Sequence, residues 1–382
     1  MDFSLDPQTV AVRDVCRVFA EKEIAPHAAR WSEEHHFPAE VFRKMGNLGL
    51  MGMLVPEEYG GVDAGYVTYV TAMQEIGIAD QSVAASWNAH STIASLPLAR
   101  FGTPQQKDKW LRPLATGTHI GAFGLTEPSA GSDAASIRTR ATRDAGGWVI
   151  NGTKMFITNA GTEMSLGVTI LAVTGQDGDK RRYGTFFIPA GAEGFRLGEP
   201  LRKLGWHTCD TRELVFDDCW VPDENLIGDE GRGLRQFLEV LDPGRISVAA
   251  LSLSLAEAAL RLAVRQSKER KQFGHPIHEF QAVSHKIADM ATAVETARWL
   301  VYRAAWLADS GRPFSKAAAM AKLYASEAAN RVASQSLQIH GGYGYMRESE
   351  ISRFYSDAKI LEIGEGTNEI QRNIVARLVL AE

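Results

Sequence analysis

The sequence contains only three cysteines in 382 residues, and their spacing excludes two common uses of cysteine. Cys16, Cys209 and Cys219 form no Cys-x-x-Cys pair and cannot all be bridged to one another. A disulfide framework and a zinc site are therefore not expected. We predict reduced thiols, a cytoplasmic location and no bound metal ion.

The chain also lacks an excess of positive charge and a long apolar run. Its 41 Lys and Arg against 46 Asp and Glu give a net charge of −5, which provides no global attraction for nucleic acid or anionic lipid. The longest obvious apolar helix candidate, residues 246–256, is well short of the roughly 20 residues that a membrane span needs. The N-terminus has no basic segment followed by an apolar core, so no secretory signal is expected. We predict neither nucleic acid nor a membrane as a partner.

What the chain does have is a composition that can bury a core, with 45% apolar and 23% charged residues. Apolar residues recur at helical spacing over residues 1–119 and again over 229–382, and Asp6-Pro7 is a typical helix start. Between these segments, residues 120–228 alternate in the manner of strands. The predicted fold is a multi-domain α and β protein, with an N-terminal helical domain, a central β-barrel or sandwich, and a C-terminal four-helix bundle.

The central segment carries two turn signals. Asn151-Gly152 separates two β-rich runs within GGWVINGTKMFITNAG, and Asp177-Gly178 separates GVTILAVT from YGTFFIPA. Asn-Gly between such runs is a strong signal for a two-residue hairpin turn. The sequence thus predicts an all-β domain of short strands, with a hairpin at Asn151-Gly152.

One carboxylate near the C-terminus is a candidate catalytic group. Glu365 stands between Gly364 and Gly366, before the run NEIQRNIVARLVL, for which Thr367 is the expected N-cap. Glycines permit positive φ, and the free N–H groups of a helix start attract phosphates or carbonyls, so a ligand can approach this carboxylate closely. The alternative is a glycine-bounded turn with a solvated glutamate. In an apolar pocket, the pKa of the carboxyl would rise towards neutrality and its basicity with it.

Three other segments are rich in small or polar residues. The loop GAFGLTEPSAGSDAASI, residues 121–137, suits a polar ring edge and a pyrophosphate, or is an ordinary connection rich in turns. Residues 270–274, Arg-Lys-Gln-Phe-Gly, close a long helix, and a basic helix C-terminus suited to the helix dipole is the alternative. Residues 338–345, QIHGGYGY, end another long helix, and a glycine C-cap is the alternative there.

In this order, and within a predicted helical part, β part and second helical part, these segments resemble the acyl-CoA dehydrogenase family over essentially the whole chain. The resemblance rests on LTEPSAGSD, NGTKMFITNA, ERKQFGHPIHEFQ, QIHGGYGY and EGTNEIQR. It implies FAD as the cofactor, a fatty acyl-CoA as the substrate and a trans-2-enoyl-CoA as the product, as in fatty-acid β-oxidation. It also implies that Glu365 takes the α-proton while a hydride leaves Cβ for flavin N5. Electrons would then pass to electron-transfer flavoprotein.

The resemblance assigns the other site residues position by position. The residues implied beside FAD are Phe123, Leu125, Thr126, Gly131, Ser132, Phe156, Ile157, Thr158, Arg270, Gln272, Phe273, Gln281, Gln338, Ile339, Gly341, Gly342, Thr367, Asn368 and Glu369. The residues implied on the substrate side are Ser132, Asp242, Pro243, Gly244, Arg245 and Gly366. Some of these groups reach the FAD of a neighbouring subunit in relatives, so the resemblance implies a dimer at least. A homotetramer, a dimer of dimers, is the expected assembly.

Three positions depart from patterns common in the family. Some branches carry the base just before the arginine of LDPGRI, where this chain has Gly244, so the base stays assigned to Glu365. Many straight-chain members have tyrosine before the base, and the smaller Gly364 predicts a pocket for a branched or cyclic acyl group. Phe156 replaces a common tryptophan, so stacking on the flavin should survive with less area.

Two alternative functions stay open at this point. One is a flavin oxidase or monooxygenase on the same fold, although the retained base speaks against a monooxygenase. The other is a non-catalytic acyl-CoA-binding protein, which would take up no FAD.

Overall fold

The computed structural model describes residues 4–381, and its first part is helical. The helices there are α1 (Pro7–Phe19), α2 (Ala28–Glu34), α3 (Ala39–Asn47), α4 (Gly65–Ala79), α5 (Gln81–Asn88), α6 (Ser95–Phe101), α7 (Pro104–Gln106) and α8 (Arg112–Ala115). π-Helical turns occupy Ala20–Ile24, Ala89–Ala94 and Lys107–Leu111. Helix α1 begins as predicted, because Asp6 Oδ1 accepts hydrogen bonds of 3.0 Å from the backbone N–H groups of Gln8 and Thr9.

The second part is one hydrogen-bonded sheet of eight strands. They are β1 (Ile120–Gly124), β2 (Arg140–Asp144), β3 (Gly147–Thr158), β4 (Ser165–Asp177), β5 (Lys180–Pro189), β6 (Phe195–Leu197), β7 (Thr211–Pro222) and β8 (Leu226–Ile227). Their order across the sheet is β6-β7-β3-β2-β4-β5-β8, and β1 pairs in parallel with β4. Strands β3, β4, β5 and β7 have 10 to 13 residues, so the expectation of short strands is wrong for the body of the sheet.

The predicted hairpin turn at Asn151-Gly152 is also wrong. Both residues lie inside β3, which pairs with β2 from Asp144 opposite Gly147 onwards. Gly152 has a φ of 149°, and a Cβ there would collide with Thr139. The pairing of β3 with β7 shifts register at this point, so the glycine serves a bulge within one strand rather than a turn between two.

The second turn signal lies where the structure does reverse direction. Strands β4 and β5 are antiparallel neighbours, and Asp177 pairs with Lys180 across a two-residue turn. Gly178 in this turn has a φ of 57°, which glycine adopts without a steric penalty. The Asp-Gly pair is therefore a hairpin turn, whereas the Asn-Gly pair is not.

The third part is again helical. Its elements are α9 (Gly233–Glu269), the short strands β9 (Lys271–Gln272) and β10 (His275–Pro276), α10 (Gln281–Asp309), α11 (Ser315–His340), α12 (Glu350–Ala358) and α13 (Asn368–Leu380). Helices α9, α10 and α11 pack on one another, and the shorter α13 packs on α11. The predicted order of a helical part, a sheet and a second helical part is confirmed, while the domain boundaries at 119 and 228 stay a prediction.

The two helical parts share one apolar core. It joins Tyr69 and Trp87 of the first part to Ile246 and Leu251 of α9, and all four are buried. The sheet has a core of its own. By length and composition alone α9 could cross a membrane, but 83% of its apolar window is buried inside the protein. Helix α9 therefore places its apolar residues in the shared core, where they border the site described next.

Candidate active site

Glu365 lies in a turn between the 3₁₀ segment Lys359–Glu362 and helix α13. Its φ is 52°, and that of Gly366 is 94°, so both residues are in the left-handed region. A positive φ is expected at the flanking glycines, Gly364 and Gly366. This is correct for Gly366 only, because the second positive φ is that of Glu365 itself. A glutamate held there is strained by about 1 kcal/mol or more, a feature that clusters at functional sites.

The turn is fixed by contacts on both sides of Glu365. The Gly364 N–H donates to Ile360 O at 2.8 Å, and the Thr367 side chain accepts from Ile370 N–H at 3.4 Å, the predicted N-cap of α13. The N–H of Glu365 is not among the backbone donors that pair within the described residues. This leaves that N–H available for a ligand carbonyl.

The Glu365 carboxylate is buried and asymmetrically bound. Asn88, the last residue of α5, donates from Nδ2 to Oε1 at 2.7 Å. The buried Oε2 has no hydrogen-bond partner among the described residues. Burial raises the pKa of Glu365 to about 7, against the opposing effects of the Asn88 hydrogen bond and the nearby Lys322 and Arg245 charges.

Gly244 of α9 provides the space for this carboxylate. A Cβ built on Gly244 would lie well inside 3.0 Å of Glu365 Oε2 and 3.3 Å from Ile93 Cγ2. Real Cβ atoms essentially never come so close to a neighbour as the first of these contacts. Gly244 thus lies directly against the carboxylate of Glu365.

A buried lysine holds the backbone next to Glu365. Lys322 of α11 is fully buried and donates from Nζ to Gly366 O at 2.8 Å and to Asn368 Oδ1 at 3.0 Å. Gln371 Nε2 also donates to Gly366 O, at 2.9 Å. Burial lowers the pKa of Lys322 to about 8, with the charge of Glu365 opposing it. The side chain of Asn368 is consequently directed into the bundle rather than towards a ligand.

The predicted substrate-side residues of α9 form a buried polar group. Arg245 pairs with Asp242, which also accepts a 2.5 Å hydrogen bond from the Ser315 hydroxyl. Arg245 is 7% exposed and its Nε has no partner among the described residues. Burial lowers the pKa of Arg245, although the Asp242 and Glu365 charges act against this. The structure therefore brings Asp242, Gly244 and Arg245 into one region with Glu365.

The loop after β1 is fastened to β3 by a buried ion pair. Lys154 Nζ lies 2.8 Å from Glu127 Oε1 and also donates to Leu125 O at 3.1 Å. Glu127 accepts further hydrogen bonds from Arg138 N–H and Thr139, while Met155 N–H donates to Thr126 O at 2.8 Å. These bonds hold the predicted flavin loop beside the predicted flavin strand.

The predicted flavin residues of this loop and strand differ in exposure. Phe156 is 63% exposed with a φ of 62°, which directs a flat aromatic side chain out of the sheet. Gly131 and Ser132 are exposed, and Leu125, Thr126 and Thr158 are partly buried. Phe123 stacks on Phe237 at 4.3 Å and Ile157 lies in the sheet core, so their side chains are occupied by protein contacts.

The predicted cofactor residues between 270 and 273 and between 338 and 342 gather at the C-terminal ends of α9 and α11, whereas Gln281 begins α10 and Glu369 is exposed at the start of α13. The Arg270 guanidinium lies 5.9 Å from the Tyr343 ring centroid, next to a cavity of about 460 Å³. The cavity is lined by Arg270, Gln272, Ile277, Ile339, His340, Gly341, Gly342, Tyr343 and Met346. Phe273 is 91% exposed, and Gln281 and Gln338 are exposed as well.

These two groups fit the parts of a flavin dinucleotide. The exposed Phe156 offers a face for a flat ring, and stacked aromatic pairs are favourable. At the second group, a Cβ on Gly341 or Gly342 would meet no atom within 4 Å, so there is room beside a guanidinium suited to a pyrophosphate. The side chain of Ile339 is buried and contributes only to the wall.

Sequence reasoning missed several residues that shape this site. Asn88 and Tyr69 lie in helices without a distinguishing motif, and Tyr69 OH bonds Ser247 Oγ at 2.8 Å beside the base. Lys322 did leave a signal, since it is the one basic residue in the small-residue run AAAMAKLYASEAA on a helix. Lys154 left a similar signal within an alternating strand. A buried cation in such a run needs acceptors, which points to a neighbouring carbonyl or carboxylate.

Comparison with known proteins agrees with this architecture. Three family models match the chain in order: "Acyl-CoA dehydrogenase, N-terminal domain" at residues 6–118, "middle domain" at 122–219 and "C-terminal domain" at 231–380. Together they define a flavin-dependent oxidoreductase. The chain belongs to the acyl-CoA dehydrogenase family.

Individual relatives cover nearly the whole chain. It is 47% identical over 381 residues to a probable acyl-CoA dehydrogenase, YngJ, of Bacillus subtilis, with 100% of both chains covered. It is 43% identical to the mitochondrial short-chain specific acyl-CoA dehydrogenase of Mus musculus, covering 96% of this chain and 88% of the relative. The structure of butyryl-CoA dehydrogenase from Megasphaera elsdenii superimposes with a TM-score of 0.96 at 40% identity, with 100% of both chains covered.

Proposed function

We propose that this protein removes two hydrogens from Cα and Cβ of a short acyl-CoA thioester and releases the trans-2-enoyl-CoA. The observation that carries this proposal is the buried Glu365 carboxylate, which is held at one oxygen and has no partner for the other within residues 4–381. Relatives named for butyryl-CoA and short-chain substrates support a short acyl chain.

Glu365 acts as the base that takes the α-proton. A general base works best when its pKa is near the working pH, and burial raises the pKa of this carboxyl to about 7. Such a base contributes on the order of 10²–10⁴ to the rate. The proton passes to the oxygen that has no other partner, so no protein hydrogen bond must break first.

The backbone of the same residue supports proton removal. Its N–H is not used within the described residues, and Lys322 and Gln371 hold the next carbonyl in place. Donated to the thioester carbonyl, this N–H would stabilise the negative charge that develops there. A fixed donor of this kind is worth about 10²–10³ in rate.

The two sets of residues that fit a flavin dinucleotide would hold FAD, which supplies the hydride acceptor when bound. Phe156, Thr126 and Ser132 would contact the ring portion, and Arg270 with Gln272 would bind the pyrophosphate and adenosine portion. Assembly into a homotetramer would bring the residues around Arg270 of one subunit to the residues around Phe156 of another. Electron-transfer flavoprotein is the proposed electron acceptor, and fatty-acid β-oxidation the proposed context.

Gly364 supports acceptance of a branched or cyclic acyl group. A Cβ at this position would lie 3.4 Å from Ile360 O, an ordinary contact, and Gly364 does not have a positive φ. Neither packing nor backbone conformation therefore demands glycine here. Its small size leaves space beside the base, where Cα and Cβ of the substrate must lie.

The test is turnover of purified protein with an artificial electron acceptor. Butyryl-, octanoyl-, isobutyryl- and cyclohexanoyl-CoA are compared, and the product is identified as the enoyl-CoA by mass and ultraviolet absorbance. We expect a yellow protein that converts butyryl- or isobutyryl-CoA. A colourless protein that takes up no FAD would contradict the proposal, and peroxide formed at the turnover rate would show an oxidase. Clear preference for the linear chains would reject only the branched substrate.

A further inference from the structure

Within the part of the chain that the structure describes, Asn88 is the side chain that donates a hydrogen bond to the Glu365 carboxylate. It is 3% exposed and lies where α5 passes into the π-helical turn Ala89–Ala94. Its Nδ2 is 2.7 Å from Glu365 Oε1, while its Oδ1 is 3.4 Å from the Thr92 hydroxyl, which also donates to Asn88 O at 2.9 Å. Because an ionised carboxylate only accepts hydrogen bonds, the amide nitrogen of Asn88 must face it.

The nearby cations do not replace Asn88 in this contact. Lys322 directs Nζ to Gly366 O and Asn368 Oδ1, and Arg245 pairs with Asp242. They act on Glu365 through their charge alone, at longer range. Among the described residues, Asn88 is therefore the hydrogen-bond donor that fixes the position of the carboxylate.

The two carboxylate oxygens consequently differ. Oε1 is held by Asn88, whereas Oε2 is buried, faces Gly244 and has no hydrogen-bond partner in the described part of the chain. A hydrogen bond to one oxygen removes the rotational freedom of the group and leaves the other oxygen directed at a fixed place. A carboxylate without this bond could turn Oε2 away from the acyl group.

We propose that Asn88 is a positioning residue for the base, binding Oε1 so that Oε2 is the oxygen that takes the α-proton. This inference rests on the proposed function, because it assigns a role within the same proton transfer. Asn88 itself need not touch the substrate. It acts by holding Glu365.

The bond also favours the ionised form of Glu365, so its removal should be visible in a titration. Hydrogen bonds to charged groups are among the stronger ones, and a one-unit pKa shift is their usual scale. The titratable groups that face Glu365 from the packed elements stay unchanged in an Asn88 variant. Tyr69 of α4, Arg245 of α9 and Lys322 of α11 interact with Glu365 directly. The groups behind them are Asp242 and Arg377, which act on Arg245, and Glu362 and Glu369, which act on Lys322.

The experiment compares Asn88→Leu, which keeps the volume, and Asn88→Asp, which keeps the shape, with the native holoenzyme. Anaerobic flavin reduction by butyryl-CoA is measured by stopped flow from pH 5.5 to 9. A separate infrared titration follows the protonated carboxyl band that Glu365→Gln lacks, and so reports the pKa without turnover. Ser95→Ala, which removes a buried hydrogen bond to His90 O on the neighbouring helix, is the matched control.

We expect the midpoint of both titrations to rise by about one pH unit in Asn88→Leu and further in Asn88→Asp. The limiting reduction rate at high pH should fall about tenfold or more, because the carboxylate is less well oriented. Ser95→Ala should keep the native midpoint. A native midpoint in both Asn88 variants would overturn the inference even if Glu365→Gln is inactive, whereas an active Glu365→Gln would refute the proposed function itself.

Discussion

Gly244→Ala is the most informative single substitution near the base. The added methyl group would come inside 3.0 Å of Glu365 Oε2, whereas an ordinary contact needs about 3.5 Å. The backbone of α9 is fixed in the shared core, so the carboxylate must move by on the order of 1 Å. Its hydrogen bond with Asn88 would then be stretched or lost.

A displacement of this size has a larger effect on catalysis than on folding. Moving a catalytic group by about 1 Å can reduce the rate by about 10². Alanine favours a helix by about 1 kcal/mol over glycine, which offsets much of the crowding. We therefore expect Gly244→Ala to have near-native stability and about 10²-fold slower flavin reduction.

The assay is anaerobic stopped-flow reduction by saturating butyryl-CoA, with FAD content and thermal unfolding measured on the same preparations. Gly364→Ala is the comparison, because it adds a methyl group next to the same base at an ordinary distance of 3.4 Å from Ile360 O. It should slow butyryl-CoA far less. Native reduction rates in Gly244→Ala would refute the placement of the carboxylate against α9.

Three further predictions follow from the buried charges. The rate of flavin reduction should rise with pH through about 7 and then level off, because the base must be ionised; a midpoint near the ordinary 4.5 in a pH–rate profile would contradict this. Lys154→Met should lower the free energy of unfolding by about 3–5 kcal/mol in urea titrations, because the buried Glu127 charge loses its cation, and adding Glu127→Gln should recover much of that loss. Because its raised pKa means that the fold prefers protonated Glu365, stability falls as pH rises from 4.5 to about 7. Glu365→Gln should therefore be the more stable protein by up to about 3 kcal/mol above pH 7, and equal stability in denaturation at pH 8 would refute this.

Local signals predicted the elements whose ends are set by their own residues. Asp6, Thr367 and Asp177-Gly178 are examples, since caps and tight turns depend on a few adjacent groups. The turn predicted at Asn151-Gly152 does not form, because β3 pairs with β7 on both sides of it. The register shift at this point accommodates the glycine. Tertiary pairing, not the dipeptide, decided the conformation.

The candidate base was found from sequence, but the groups that tune it were not. Glu365 is marked by its flanking glycines and motif, whereas Asn88, which donates a hydrogen bond to it, lies 277 positions away in the chain. Lys322 approaches from another helix, 44 positions from Gly366. Such contacts depend on how helices pack in the shared core, which no local pattern records.

The central claim is that Glu365 removes the α-proton, and Glu365→Gln tests it most directly. The variant keeps the shape of the side chain and an oxygen that can accept from Asn88, but it has no basic carboxylate. After mixing with butyryl-CoA without oxygen, we predict a folded, yellow protein whose flavin absorbance stays unbleached. Bleaching at a near-native rate would contradict the assignment of Glu365 as the base.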